Sequence, residues 1–308
     1  MIYNIVLNPA GASGNAAKLW QKLEPMFSAA GADHVLYRSS PGRSIRDICR
    51  ELTSKGTETV LVVIGGDGSF NEAVNGIEDF KHTLFGFIPC GTGNDMRRDM
   101  SLPRSPKDVA RLILEGRERR RADVGLMRCV IGGNVVTRRF NISSDIGFGA
   151  ATCAFADSSG LKARLNRLHL GRLIYLIGAL KVCFTAETAR VTISCGGHTR
   201  VYPKCLSAIV MNHCHEGGGF KFCPDADFTD GLLDLCAGTG LTKPGYLRML
   251  PNAYRGKHLR LRGIYAEKAK RILMTSDRPL WIHTDGEVLG KTTRAEMSLL
   301  PDKLRLLV

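Results

Sequence analysis

The chain has 308 residues, 44% of them hydrophobic, and 43 Lys and Arg against 29 Asp and Glu give it a formal net charge of +14. That is enough apolar material for a large core, and the length suits two domains better than one. The charge calls for an acidic surface beyond a substrate's few phosphates, yet with two Trp, seven Tyr and no helix-turn-helix, finger or RNA-reading motif, nucleic acid is set aside. The longest apolar stretch, 173–180, is too short to span a bilayer, and the chain opens directly with a strand and a glycine loop, so a cytoplasmic protein without an N-terminal signal is expected. Ten cysteines are scattered without a Cys-x-x-Cys pair, several in apolar runs, which fits a reducing compartment. His213-Cys214-His215 with Cys223 matches no standard zinc spacing.

In chain order, apolar periodicity predicts strands over 1–7, 34–37, 60–64 and 84–89, alternating with helices over 15–30, 44–54 and 70–77. Such alternation makes residues 1–125 an α/β domain with a parallel, doubly wound sheet. Two of its strands run into glycines. Leu61-Val62-Val63-Ile64 leads to Gly65-Gly66-Asp67-Gly68-Ser69-Phe70-Asn71, and Phe85-Gly86-Phe87-Ile88-Pro89-Cys90 leads to Gly91-Thr92-Gly93-Asn94-Asp95. Glycines let a backbone turn sharply and approach a ligand, and the amides left over at a helix start face an anion. Asp67 cannot hold a phosphate, because like charges repel, so its chemistry is that of a Mg²⁺ ligand beside one, with Ser69 adding a hydroxyl donor. The plainer alternative is an ordinary strand-to-helix turn with glycine for conformation only. Two such loops after consecutive strands lie side by side at the carboxyl edge of a parallel sheet, which would bring Asp67 and Asp95 together.

From residue 126 the texture changes. Hairpins are predicted over 126–131 with 135–142 and over 190–195 with 200–205, further strands over 233–236, 271–275 and 280–284, and helices only near 161–186 and 243–255. Residues 126–289 therefore read as a mostly antiparallel β-sandwich, with no internal repeat or low-complexity linker before it. Two stretches concentrate the charge: 97–121 carries nine Lys and Arg against four acids, and 243–273 carries nine against Glu267 alone. A third basic segment, 161–173, sets Leu161, Leu165 and Leu168 on one helical face. It fits a helix lying in a headgroup layer and equally a core helix with a charged rim.

Further motifs follow in a fixed order around these loops. They are Asn8-Pro9-Ala10-Gly11-Ala12-Ser13-Gly14, Ala122-Asp123-Val124-Gly125, Phe140-Asn141-Ile142-Ser143-Ser144-Asp145-Ile146-Gly147-Phe148-Gly149-Ala150, Gly217-Gly218-Gly219-Phe220-Lys221, Pro224-Asp225-Ala226, Asp230-Gly231-Leu232-Leu233-Asp234 and Thr284-Asp285-Gly286-Glu287. Together with the two loops they resemble the diacylglycerol kinase catalytic-domain family of lipid kinases, in its bacterial soluble form, almost end to end. The resemblance implies ATP- and Mg²⁺-dependent transfer of the γ-phosphate to a membrane lipid hydroxyl, with diacylglycerol foremost, to give phosphatidic acid. Sphingoid bases, ceramide, phosphatidylglycerol and NAD stay open as acceptors, and a non-catalytic sensor of anionic lipid or nucleotide stays open as the alternative to an enzyme. It also implies an active site in the cleft between the halves, with 290–308 completing the first domain through a strand at 304–308.

By the same resemblance, Asn8, Gly65, Gly66, Asp67, Gly68, Ser69, Asn71, Gly91, Thr92, Gly93 and Asn94 meet the nucleotide, and Asp67, Asp95 and Asp123 hold Mg²⁺ and its waters. A second, structural Mg²⁺ is implied at Asp230, with backbone oxygens of Asp227 and Leu232. Glu287 takes the part of proton acceptor, with Asp285 beside it as its catalytic neighbour; without the resemblance, Asp285-Gly286 is a hairpin turn followed by a solvated Glu. Peripheral contact with the anionic inner face of a membrane is implied, and a homodimer is left open. Ser69 stands where Thr is more usual, and a nucleotide contact after the second strand has no match clearer than Ser39 or Ser40. There is no Walker loop, which sets aside a P-loop kinase. Pockets for one and for two acyl chains are both apolar, so no residue selects the lipid.

Overall fold

The computed structural model describes residues 1–9, 11–91, 94–159, 173–186 and 188–308. The chain divides into two units, one of Met1–Val124, Phe228–Asp230 and Leu300–Val308, the other of Gly125–Asp227 and Gly231–Leu299.

In the first unit, strands β1 (Tyr3–Leu7), β2 (His34–Arg38), β3 (Thr59–Gly65) and β4 (Thr83–Pro89) alternate with helices α1 (Asn15–Ala29), α2 (Ile45–Thr53) and α3 (Asp67–Gly76). After β4 come α4 (Asp95–Asp99), α5 (Pro106–Leu114) and a short β5 (Arg120–Ala122). β3 and β4 are buried from end to end, as their unbroken apolar runs require, and pair in parallel from Thr59↔Thr83 to Gly65↔Pro89. β1 pairs in parallel with β2 on one side and β3 on the other. The chain moves out from β1 to β2 and then returns across β1 to β3, so the order reverses between β1 and β3 and opens a crevice at their carboxyl ends.

Helices cover this sheet through apolar stripes: α1 buries Trp20, Leu23 and Phe27, and α3 sends Phe70 edge-on against Phe85 and Phe87 at 5.0 Å. α2 begins with a capping box in which Ser44 accepts the Asp47 amide and Asp47 accepts the Ser44 amide. α3 starts at Asp67 rather than Phe70 because Gly66 caps it in an extended conformation and a carboxylate suits its first turn.

The second unit holds β6 (Gly125–Ile131), β7 (Asn134–Phe140), β8 (Ser143–Gly147), α6 (Phe148–Ser158), α7 (Leu173–Thr185), β9 (Ala189–Cys195) and β10 (His198–Met211). It continues with β11 (Leu233–Thr239), α8 (Lys243–Tyr254), β12 (Ile264–Ala269), β13 (Arg271–Thr284) and β14 (Glu287–Leu299). Every strand pair is antiparallel, in the order β12-β11-β10-β8-β13-β14-β6-β7, and β9 joins β10 to β13. The long strands β10 and β13 pair with β9 along their first halves and with β8 along their second, changing partner near register shifts at Cys205/Ser207 and Thr275/Leu280. Strands that switch partner at such irregularities fold one sheet into a sandwich, whose core holds Met127, Phe140, Ile146, Val191, Ile272 and Met297.

The chain then returns to the first unit as β15 (Leu304–Leu306), parallel to β4 through Leu306↔Phe85 and antiparallel to β5 through Leu304↔Ala122. Residues 290–299, grouped by sequence with the first domain, are instead the greater part of β14, in one ladder with β6 down to Leu299↔Gly125. The segment Phe228–Asp230 also joins the first unit, where the Phe228 carbonyl accepts the Asp123 amide at 2.6 Å. The strands expected at 271–275 and 280–284 are one strand. Of the third basic segment, residues 161–172 lie outside the described residues. None of the ten cysteines is in a disulfide, and seven of them are buried. No described helix is long and apolar enough to cross a membrane.

Candidate functional site

Three loops leave the adjacent strand ends of β1, β3 and β4. The amides of Asp67, Gly68 and Ser69 precede the first internal bond of α3, from the Phe70 amide to the Gly66 carbonyl at 3.1 Å. A Cβ on Gly91 would stand 2.8 Å from the Gly66 Cα, so the two glycine loops touch backbone to backbone. A Cβ on Gly65 would fall 2.4 Å from Ser69, which shuts out any side chain there. The Cys90 amide donates to the Gly65 carbonyl at 2.8 Å and ties one loop to the other.

Asp67 crosses between the loops. Its carboxylate accepts the Asp95 amide at 3.0 Å and the Met96 amide at 3.4 Å, capping α4 from outside its own chain segment. Asp95 is itself buried and pairs with Arg98. Between them Asn94 adopts a left-handed conformation (φ 51°, ψ 42°), and among the described residues its buried Oδ1 has no hydrogen-bond partner. An acceptor left in that state costs about 1–3 kcal/mol unless water or a ligand meets it.

The other expected contributors to this unit are placed as follows. Asn8 follows β1 and its carbonyl accepts the Gly11 amide at 2.9 Å, while Asn71, buried in α3, accepts from Asn75 Nδ2 at 3.1 Å. The Ser39 amide donates to the Leu7 carbonyl at 2.9 Å. Thr92 and Gly93 lie outside the described residues. Asp123 is buried after β5, and its carboxylate meets Lys303 Nζ at 2.8 Å; the same ammonium donates to the Thr229 carbonyl at 2.8 Å. Lys303 carried no signal in the sequence reading, since a lone lysine before a short strand is ordinary. Of the residues assigned to a second cation, Asp230 falls in the first unit, Asp227 and Leu232 in the second.

In the second unit β13 and β14 are joined by a turn through Asp285 and Gly286, both at positive φ (48° and 82°). The Asp285 carboxylate accepts three consecutive amides, from Asn141, Ile142 and Ser143 at 2.8–2.9 Å, and Asn141 Nδ2 at 3.3 Å. The Asp285 amide in turn donates to the Ser143 carbonyl at 2.9 Å. So Asp285 fixes the loop between β7 and β8. Glu287, the first residue of β14, is exposed and pairs with the largely buried Arg138 of β7.

Behind the turn lies a buried polar cluster that the sequence reading did not assign. His283 Nδ1 accepts the Gly286 amide at 3.2 Å, which turns its Nε2 toward Asp145 at 4.0 Å and Glu216 at 3.9 Å. Glu216 accepts from the Ser143 hydroxyl. Asp145 accepts the Ala150 amide at 2.7 Å and the Ser207 hydroxyl at 2.8 Å. Burial pushes the Asp145 carboxyl up to about 6 and the His283 imidazole down to about 4. The sign of this cluster in sequence was an Asp inside an otherwise apolar and glycine-rich run, Ser144-Asp145-Ile146-Gly147-Phe148-Gly149.

A switch-point crevice with paired glycine loops, followed by an antiparallel sandwich, defines a class of phosphotransferases. The diacylglycerol kinase catalytic domain matches residues 3–127, and the YegS C-terminal NAD kinase beta sandwich-like domain matches residues 154–308. The chain belongs to the diacylglycerol kinase family of lipid kinases, for which ATP is the implied phosphoryl donor. It is 27% identical to a diacylglycerol kinase of Mycobacterium tuberculosis (strain CDC 1551 / Oshkosh) over 303 residues, 97% of this chain and 93% of that protein. It is 25% identical to the putative lipid kinase YtlR of Bacillus subtilis (strain 168), over 98% of this chain and 97% of that protein. The solved structure of a putative diacylglycerol kinase from Bacillus anthracis str. Sterne shares the fold with a TM-score of 0.76 at 23% identity, over 99% of this chain and 96% of that one.

Proposed function

We infer that this chain transfers the γ-phosphate of ATP, in a Mg²⁺-dependent reaction, to the hydroxyl of a membrane lipid, diacylglycerol being the favoured acceptor. The observation that carries the reading is the contact of the Gly66 and Gly91 loops under the capping carboxylate of Asp67. Two backbones packed that closely leave helix-start amides for phosphate oxygens.

The donor set suits Mg²⁺, a hard cation that takes oxygen ligands: Asp67 and Asp95 supply carboxylates, and the Asn94 Oδ1 is a neutral oxygen beside them. Asp67 and Asp95, with Asp123 assigned through the family resemblance, would hold the ion. When bound, it would offset the charge that builds on the transferring phosphoryl group. The α3 amides orient the phosphate chain. Glu287 accepts the proton from the lipid hydroxyl as the new oxygen–phosphorus bond forms and the β–γ bridging bond breaks, releasing ADP. Arg138 holds the Glu287 carboxylate in place, and Asp285 keeps the turn that presents it. A lipid substrate requires work at a bilayer, and the net charge of +14 favours an anionic one.

The test is transfer of labelled γ-phosphate from ATP and Mg²⁺ to a panel of lipids in mixed micelles, beside Glu287→Ala and with NAD as a soluble acceptor. Label in diacylglycerol, lost in Glu287→Ala, is the expected result. Label in another lipid would rename the acceptor, label in NAD would replace the lipid reading, and no transfer to any acceptor with retained micelle binding would leave a sensor.

A further inference from the structure

Most of the formal charge of the second unit sits on one chain segment, and among the described residues much of it has no acidic partner. In 243–273, Lys268 pairs with Asp234 and Arg271 with Glu296. Arg248, Arg255, Lys257, Arg260, Arg262 and Lys270 are exposed, and among the described residues none of them has an acidic partner within ion-pair distance. Exposed Pro244, Arg248 and Pro251 of α8 and Arg255 at its C-cap fall within about 60° of one another around a helix of 3.6 residues per turn, with exposed Tyr254 to one side of them. The next residues form a short 3₁₀ turn, His258–Arg260, fastened by the buried His258, whose Nε2 meets the Phe222 carbonyl at 3.0 Å. Its cations are thus carried on anchored backbone.

A second feature lies beside the first. α7 packs against α8. It turns Ile174, Gly178 and Val182 inward and leaves Ile177, Leu180 and Phe184 exposed at 41%, 42% and 59%. These three also share one stripe, about 60° wide. Tyr254, at the end of α8, is 57% exposed, its ring edge-on to Phe220 at 5.6 Å. Exposed apolar side chains beside cations that have no acidic partner among the described residues are the two halves of an interfacial surface, one for acyl chains and one for anionic headgroups. A polynucleotide would meet the cations but offers nothing to the exposed apolar stripe.

We propose that α7, α8 and residues 255–262 form the face by which this protein docks on an anionic membrane, with Ile177, Leu180 and Phe184 entering the acyl boundary and Arg248, Arg255, Lys257, Arg260 and Arg262 meeting the headgroups. The assignment deepens the lipid-kinase reading and rests on it for its purpose. The test is sedimentation of the full chain with phosphatidylglycerol-containing and with pure phosphatidylcholine vesicles. Arg255→Glu/Arg260→Glu/Arg262→Glu is compared with Lys107→Glu/Arg111→Glu/Arg117→Glu, which lowers net charge equally but lies in the first unit.

With each cation near the surface contributing on the order of a fivefold factor, the first triple variant is expected to partition about 100-fold or more weakly onto anionic vesicles, the second within about threefold of the parent chain. Ile177→Asp/Phe184→Asp keeps the cations and is expected to lose binding as well. Phosphorylation of dispersed short-chain diacylglycerol should persist in all three, while vesicle-borne diacylglycerol is lost in the first and third. Equal loss in both charge-reversal triples, or in neither, overturns the assignment. So does mixed-sequence RNA binding more tightly than vesicles through the same three arginines. Kinase activity without any vesicle binding by the parent chain would sink the docking face and spare the kinase; vesicle binding through this face without transfer to any lipid would do the reverse.

Discussion

In the first unit each site carboxylate faces a donor with positive character: Asp67 meets two backbone amides, Asp95 meets Arg98, and Asp123 meets Lys303. Behind the Asp285 turn of the second unit, Asp145 meets a hydroxyl and an amide, and the nearest base is a histidine that burial keeps neutral. One arrangement holds negative charge at a crevice, as the proposed handling of a cation and phosphates requires. The other suppresses charge in the interior and works through hydrogen-bond geometry, His283 on Gly286 and Asp285 on three amides. The carboxylates of the two units are therefore of two kinds, and substitution by the neutral amide should tell them apart.

Asp67→Asn should lower turnover by at least about 100-fold, the scale for losing one charged stabiliser of a transition state, with a melting temperature within a few degrees of the parent. Turnover within threefold would make Asp67 a helix cap and nothing more. Asp285→Ala should instead appear as instability: three amides lose their acceptor, and urea titration should record a loss of about 3 kcal/mol. Asp285→Asn retains one oxygen and should lie between. A stable, inactive Asp285→Ala would move that residue to the first kind.

The buried pair makes a pH experiment possible. Asp145, raised from 3.8 to about 6, holds its proton more tightly in the folded chain, so its contribution is complete near pH 4 and lost as pH rises toward 6. His283, lowered from 6.5 to about 4, contributes fully above pH 6.5 and loses that contribution as pH falls toward 4. In the parent chain the two slopes oppose and stability between pH 4 and 6 should be nearly level. His283→Gln should expose the falling slope and Asp145→Asn the rising one, each approaching about 3 kcal/mol across the interval for a shift of two units or slightly more. Parallel profiles in the two variants would mean that the pair does not titrate in this range. The smallest effect belongs to the surface: Arg117→Gln, at an exposed pair with Glu115, should change stability by less than about 1 kcal/mol.

Local rules carried the glycine loops from sequence to structure. An apolar run of strand length followed by glycine and a helix-starting carboxylate reads the same way in isolation as in β3–α3. β8 was missed because Ser143-Ser144-Asp145 has no apolar alternation; it is buried on both sides only because β10 and β13 flank it and Ser144 donates to the His283 carbonyl at 3.0 Å. Lys303 escaped for a similar reason, its partner Asp123 lying far back in the chain. Charge runs misled in a different way. In 97–121, Arg98, Arg111, Arg117, Arg119 and Arg121 each pair with an acid close by in sequence, Arg117 and Arg119 sharing Glu115, whereas the equally basic 243–273 has few such neighbours. Sequence counts could see the acids but not which arginines they would reach.

The position of β15 has a consequence for synthesis on the ribosome. β4 emerges with one partner, β3, and its other edge stays open until Arg305 and Leu306 arrive more than 200 residues later. At about 5–20 residues per second the nascent chain spends roughly 10–40 s with that buried-type strand edge exposed, and the sandwich must form during the wait. The first unit is first to be translated and last to be finished, which makes it the half that a holding chaperone would need to shield.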